Sequence, residues 1–212
     1  MYKSKKISIV IATKNKGKIK EIKEFFCDIR SIKWLTFANF KDFPVIEEGS
    51  SNFFENASKK AKEISKFSGE ITIADDSGLE VAVLGGKPGV DSSKFAGENA
   101  TDKDNRVKLL NMLSGYPSFK DRKAKFICHV VVWHPNKGMI CKSSGVCEGK
   151  IGFKEIGTNG FGYDCIFIPK GYDKTMAQLT GKEKNRISHR GKALNNLRDC
   201  LKKITCEYQY NP

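Results

Sequence analysis

Residues 71–79, Ile71-Thr72-Ile73-Ala74-Asp75-Asp76-Ser77-Gly78-Leu79, run from a short apolar segment into two adjacent acids and then a glycine. The pattern predicts a strand over residues 71–75 with the carboxylates at its end, where a turn opens onto a cleft. Acids placed there can hold a hard divalent cation through oxygen ligands, or leave one carboxylate to take a proton from water. Taken alone, the pair is equally compatible with a solvated acidic turn.

On either side of this stretch, extended and helical patterns alternate. Residues 7–12 are continuous and apolar, as a central strand requires, and Ile19, Ile22, Phe25 and Phe26 follow at helical spacing. Residues 53–68 predict a second helix with Phe54, Ala57, Ala61, Ile64 and Phe67 on one stripe and Gly69 as its stop. Beyond the acids, residues 84–89 read as loop, and Thr101 with Asp104 opens a helix carrying Val107, Leu110 and Leu113. Residues 126–133 and 139–148 predict a hairpin, and residues 160–169 predict another strand entry. One long final helix carries Ile187, Leu194, Leu197, Leu201 and Ile204. No low-complexity linker or internal repeat divides the chain, so residues 1–212 are read as a single α/β domain with two lobes around a cleft.

Composition narrows the setting. A hydrophobic fraction of 39% in 212 residues is enough for a substantial core, and the formal charge of +14 favours anionic partners without naming one. The seven cysteines form no Cys-x-x-Cys pair and the histidines do not flank them at ligand spacing, which argues against zinc. Their odd number, with no secretory leader in view, is the pattern of reduced thiols in a cytosolic protein. The apolar run at residues 7–12 is too short for a membrane span.

Four further constellations carry chemistry. Thr13-Lys14-Asn15-Lys16-Gly17-Lys18 lies between the first strand and its helix, where free backbone N–H groups favour an anion and lysines add charge; a solvated basic turn is the plainer alternative. The spacing is not that of a Walker A loop. Glu47 and Glu48 precede the second helix and, with Asp75 and Asp76, could supply the one or two carboxylates that Mg²⁺ takes beside phosphates, whereas Glu55 also suits the helix dipole. Residues 157–164 combine three glycines with Phe161, Tyr163 and Asp164, which allows close backbone approach and base stacking, or simply a glycine-rich strand entry. Finally, Arg190 falls on the inward stripe of the last helix, where a guanidinium requires an acceptor. The adjacent Ser188 and His189 have poor geometry for a nucleophilic pair.

In chain order, Thr13-x-Asn15-x-x-Lys18, Glu47 with Phe53-x-Glu55-Asn56-Ala57, residues 74–79, Phe161-Gly162-Tyr163-Asp164 and Ser188-His189-Arg190 resemble the signature set of the inosine triphosphate pyrophosphatase family, the noncanonical purine nucleoside triphosphate pyrophosphatases (XTP/dITP diphosphatases). The resemblance covers residues 7–197. It implies an α/β fold of two lobes, with a central mixed sheet flanked by helices and a cleft between lobes. It also implies a cytoplasmic homodimer that uses Mg²⁺ to hydrolyse ITP, dITP or XTP to the monophosphate and pyrophosphate, with no membrane and no stable nucleic-acid partner. By similarity, Thr13, Asn15 and Lys18 hold the triphosphate, Glu47 and Asp76 serve the metal, and Asp76 is also the catalytic base. Ser77 touches the substrate, Phe161, Gly162, Tyr163 and Asp164 hold base and sugar, and Lys184, His189 and Arg190 close over the purine. Lys14, Asp91 and Cys165 depart from the usual glycine, tyrosine and proline, and the position of Gly49 leaves Glu48 as an alternative to Glu47. A pyrophosphatase for modified pyrimidine or methylated nucleotides, and a basic nucleic-acid-binding module, are the competing readings; the second leaves the acid pairs unexplained.

Overall fold

The first strand forms where the sequence is most apolar: β1 (Ile7–Ile11) buries Ile9, Val10 and Ile11 almost completely. Each such side chain contributes roughly 1.5–3 kcal/mol of transfer free energy. This computed structural model describes residues 6–49 and 52–210, so the basic Lys3 and Lys5 lie outside it. In chain order the elements after β1 are α1 (Lys16–Phe25), β2 (Ile32–Leu35), α2 (Phe53–Ser68), β3 (Ile71–Val81) and β4 (Pro88–Gly89). They are followed by α3 (Asp102–Met112), β5 (Lys123–His134), β6 (Gly138–Ile151), β7 (Phe167–Pro169), α4 (Gly181–Ile187) and α5 (His189–Tyr210). The sheet order is β2-β1-β3-β5-β6-β7, with β4 on β3, and both parallel and antiparallel pairs occur. The α/β class and the mixed sheet with helices are as the sequence predicts.

The chain divides into two compact units. The first comprises residues up to Asp76, His129–Ser144 and the chain from Ala193 onward. Here β1 pairs in parallel with both β2 and β3, and the last paired residues are Ile11 and Ile73. Helix α2 has the predicted bounds because Asn52 caps its start by accepting from the Phe54 N–H, and Gly69 ends it at φ 70°, a conformation that suits glycine. Its buried face holds Asn56, Ala57, Lys60, Ala61 and Ile64. Phe67, expected on that stripe, is 45% exposed and instead packs its ring on Phe40 and Phe43. Helix α5 buries Leu194, Leu197, Leu201 and Ile204 as expected. Cys141 of β6 and Cys200 of α5 form a disulfide with Cα atoms 6.6 Å apart, which corrects the expectation of reduced thiols at these two positions.

The second unit comprises Ser77–Cys128 and Gly145–Lys192, and its core gathers Leu79, Val81, Leu109, Leu113, Phe126, Tyr163 and Phe167. Strand β3 does not end at the acids but runs on to Val81, because Leu79 and Glu80 pair with Gly89 and Pro88 while Leu79 and Val81 are fully buried. The predicted loop at residues 84–89 therefore contains a short strand. Helix α3 starts with Thr101 and Asp104 capping each other, as read from the sequence. Its inward face is Asn105 and Leu109 rather than Val107, which is 44% exposed. Residues 157–166 are turns rather than strand, with only Phe167–Pro169 extended. The single final helix is two: α4 ends at Ile187, Ser188 is extended, and Arg190 stands in the first turn of α5.

Candidate active site

The acid pair is buried and answered by lysines from two helices. Asp75 is 1% exposed and its Oδ2 lies 3.1 Å from Lys18 Nζ; Asp76 is 4% exposed and its Oδ1 lies 2.9 Å from Lys60 Nζ. Asn56, one turn before Lys60 on α2, donates from Nδ2 to the other Asp76 oxygen at 3.2 Å. Lys60 also reaches Glu48 Oε1 at 2.9 Å, so one ammonium joins two carboxylates. Burial raises the Asp76 carboxyl above the ordinary carboxylate range; Lys60 and Lys18 pull it down and Glu48 adds to the rise. For Lys60, burial works against the charge, but Asp76, Glu48 and Asp75 outweigh it, so the lysine holds its proton more tightly than usual.

The turn ahead of α1 is built to present polar groups. The Asn15 side chain caps the helix by accepting from the Lys18 N–H at 3.1 Å, and Thr13 Oγ1 accepts from the Asn15 N–H at 3.1 Å. Thr13 is half-buried and Asn15 exposed. Lys18, one turn along, is thereby aimed at Asp75. Of the two loop glutamates, Glu48 is the one that shares Lys60 with Asp76, whereas Glu47 is exposed and its backbone carbonyl accepts from Lys59 Nζ.

The remaining expected residues lie in the second unit. Arg190 is 2% exposed, donates from Nη2 to Ser77 Oγ at 2.8 Å, and stands 5.6 Å from the centre of the Phe161 ring. Lys184 Nζ is 4.9 Å from the same ring and 2.6 Å from Asp164 Oδ2. Two cations therefore stand by one aromatic ring. His189 stacks on Phe126 with centroids 4.6 Å apart. Asp164 also accepts from the Phe161 N–H at 2.9 Å, which closes the turn that carries the ring. Tyr163 is 4% exposed, its ring packs in the core, and its hydroxyl donates to the Ser92 carbonyl at 2.8 Å.

Sequence reading missed Lys60 and quoted Asn56 without a role, although both fall on the α2 stripe in the same inward phase that singled out Arg190. It also missed His129 of β5, whose pKa is lowered by burial and raised by the charge of Asp76, and whose ring meets Phe54 edge-on at 6.3 Å. No spacing in the sequence marks His129.

The α/β protein thus clusters carboxylates and lysines in its first unit and, in its second, sets two cations beside one aromatic ring. The chain belongs to the Ham1 family, whose model matches residues 9–200. It is 46% identical to the dITP/XTP pyrophosphatase of Oceanobacillus iheyensis over 92% of this chain and 98% of that one. A dITP/XTP pyrophosphatase of Shouchella clausii is 42% identical over 92% and 97%. Among solved structures, a HAM1 protein from Coxiella burnetii superposes with a TM-score of 0.81 at 41% identity, covering 93% of this chain and 99% of that one. The Staphylococcus aureus Ham1 protein does so with 0.79 at 40%, covering 92% and 98%.

Proposed function

We propose that the protein hydrolyses noncanonical purine nucleoside triphosphates, ITP, dITP and XTP, to the monophosphate and pyrophosphate. Membership of the Ham1 family and the dITP/XTP pyrophosphatases among its relatives support the activity. The observation that carries the chemistry is the buried Asp75–Asp76 pair with a lysine on each acid. Carboxylates buried beside bound phosphate are tolerable only when cations offset both.

Thr13, Asn15, Lys18 and Lys60 take the triphosphate, with the Thr13–Lys18 turn supplying N–H groups and the two lysines supplying charge. Ser77, Phe161, Lys184, His189 and Arg190 take the purine, the ring by stacking and the guanidinium by donating to a keto oxygen. Gly162 and Asp164 set the turn that presents Phe161, while Tyr163 anchors that turn to the core.

The donor set fits Mg²⁺. It consists of hard carboxylate oxygens, and a cation that also uses substrate phosphates needs only one or two of them. Among the described residues no three His, Cys, Asp or Glu groups form a ready cage. Asp76 would hold the ion together with Glu47 or Glu48, and the shared Lys60 favours Glu48. Mg²⁺ supplies phosphate charge neutralisation there. Asp76 accepts the proton of the water that attacks the α-phosphate, a role for which a carboxyl pKa raised by burial is suited.

The whole chain acts as one catalytic domain, in the cytoplasm and as a homodimer. Among the described residues no helix is long and apolar enough to cross a membrane. The deciding experiment measures pyrophosphate and orthophosphate release from a panel of nucleoside triphosphates with Mg²⁺. Pyrophosphate as first product, with ITP and XTP preferred over ATP, is the expected result; orthophosphate first would reject the mechanism.

A further inference from the structure

The turn that carries Phe161 is gripped from helix α3. Gly162 has φ 60° and occupies the second position of a tight turn closed by the Asp164 N–H donating to the Phe161 carbonyl at 3.2 Å. Both of its backbone polar groups are taken by side chains one helical turn apart. The Gly162 N–H donates to Asp102 Oδ2 at 2.7 Å, and the Gly162 carbonyl accepts from Arg106 Nη1 at 2.9 Å. Arg106 is itself oriented by a fork to Glu155, Nε to Oε1 at 2.9 Å and Nη2 to Oε2 at 3.1 Å. A charged acceptor on the peptide that precedes the Gly162 Cα and a charged donor on the peptide that follows it hold both peptide groups flanking the residue, and each bond is charge-assisted.

We infer that Asp102 and Arg106 are positioning residues for purine recognition, holding the turn at Gly162 so that the Phe161 ring is presented preformed to the base. They do not touch the base; they act through Phe161. The inference rests on the proposed role of Phe161 above. A preorganised ring lowers the ordering cost of binding, so its loss appears mainly in substrate binding rather than in the chemical step at the phosphate.

Asp104 supplies an internal control. It shares the first turn of α3 with Asp102, but its carboxylate goes to the Thr101 N–H and hydroxyl, not to the turn. Asp102→Ala and Arg106→Met should each raise KM for ITP about tenfold, the scale of one charge-assisted hydrogen bond, with kcat changed by less than about threefold. Asp102→Asn, which keeps an oxygen acceptor, should restore most of the loss. Asp104→Ala should lower the melting temperature and leave KM unchanged. In nucleotide-free protein, amide exchange at Gly162 should accelerate in Asp102→Ala and not in Asp104→Ala. Unchanged KM in both clamp variants, a fall in kcat in place of the KM effect, or the same KM rise in Asp104→Ala would overturn the inference. A parent protein that releases no pyrophosphate from ITP would instead reject the proposed function, and the exchange measurement would then decide on the clamp alone.

Discussion

Asp75 and Asp76 are neighbours on one strand, yet they are held by different helices: Asp75 by Lys18 of α1 at 3.1 Å, Asp76 by Lys60 of α2 at 2.9 Å. Successive strand residues point to opposite faces, so one dipeptide draws a cation from each side of β3. The two acids are therefore not interchangeable: Asp76 combines a raised pKa with a shared cation and an amide donor.

Asp76→Asn separates chemistry from stability. Burial raises the folded-state pKa above the ordinary 3.8, so between the unfolded and folded values the folded chain binds the extra proton. Stability then falls as pH rises through that window and stays lowered at neutral pH. The variant should melt no lower than the parent at pH 7, with the two converging as pH falls toward the ordinary carboxylate range, while pyrophosphate release drops by about 10²–10⁴-fold. Near-normal turnover would show that the acid pair is structural only.

Lys60→Met should do the reverse to the same carboxyl. Removing the principal cation facing Asp76 leaves burial opposed mainly by Lys18, so the acid limb of kcat/KM moves to higher pH. The unfolding free energy should fall by about 3 kcal/mol, the low end for breaking a buried pair, because the Glu48 side chain is 37% exposed. Urea titration and a pH–rate profile check the two effects; a parent-like acid limb would remove Lys60 from the account.

Arg190→Met tests base selectivity. The 6-position of hypoxanthine and xanthine offers a keto oxygen to the guanidinium, whereas adenine sets donor against donor. The variant should lose about 30-fold or more in kcat/KM for ITP, as expected for truncating a buried charged donor, and much less for ATP. Equal losses on both substrates would mean that Arg190 supports Ser77 and the fold instead.

The cysteines give a test independent of activity. With Cys141 and Cys200 joined, five of the seven thiols should react with an alkylating reagent in nonreducing denaturant, and all seven after reduction. The bond closes a loop of 59 residues, and its reduction should cost about 4 kcal/mol of unfolding free energy by loop-closure entropy. Seven reactive thiols without reductant would refute the pairing.

The sequence made some of this legible through period and caps. Helix α2 was bounded by its apolar period and by Gly69, and Arg190 was located by the apolar phase of the last helix. The extent of β3 was not legible, because its continuation depends on pairing with Pro88 and Gly89, a long-range contact that outweighs the local turn signal of Ser77-Gly78. The inward phase of Arg190 was right although Ile187, used to extend the stripe, belongs to α4. The core packing of the Tyr163 ring was not legible, because a glycine-flanked aromatic looks alike whether it faces a ligand or the core. Asp102 and Arg106 carried no signal, since an Asp and an Arg four apart on a helix ordinarily read as a solvated surface pair.

The β1–β3 register has a consequence for how this chain tolerates change. Ile9 opposes Ile71 and Ile11 opposes Ile73, and that alignment alone decides which acid meets Lys18 and which meets Lys60. Sliding β3 by a single position would turn every side chain to the opposite face, setting one acid in the other's place and bringing Ala74 or Ser77 to the place left over. A one-residue insertion between Gly69 and Ala74 is thus a chemical mutation in disguise: it alters no functional side chain, yet it sets Asp75 before Lys60 and Ala74 before Lys18.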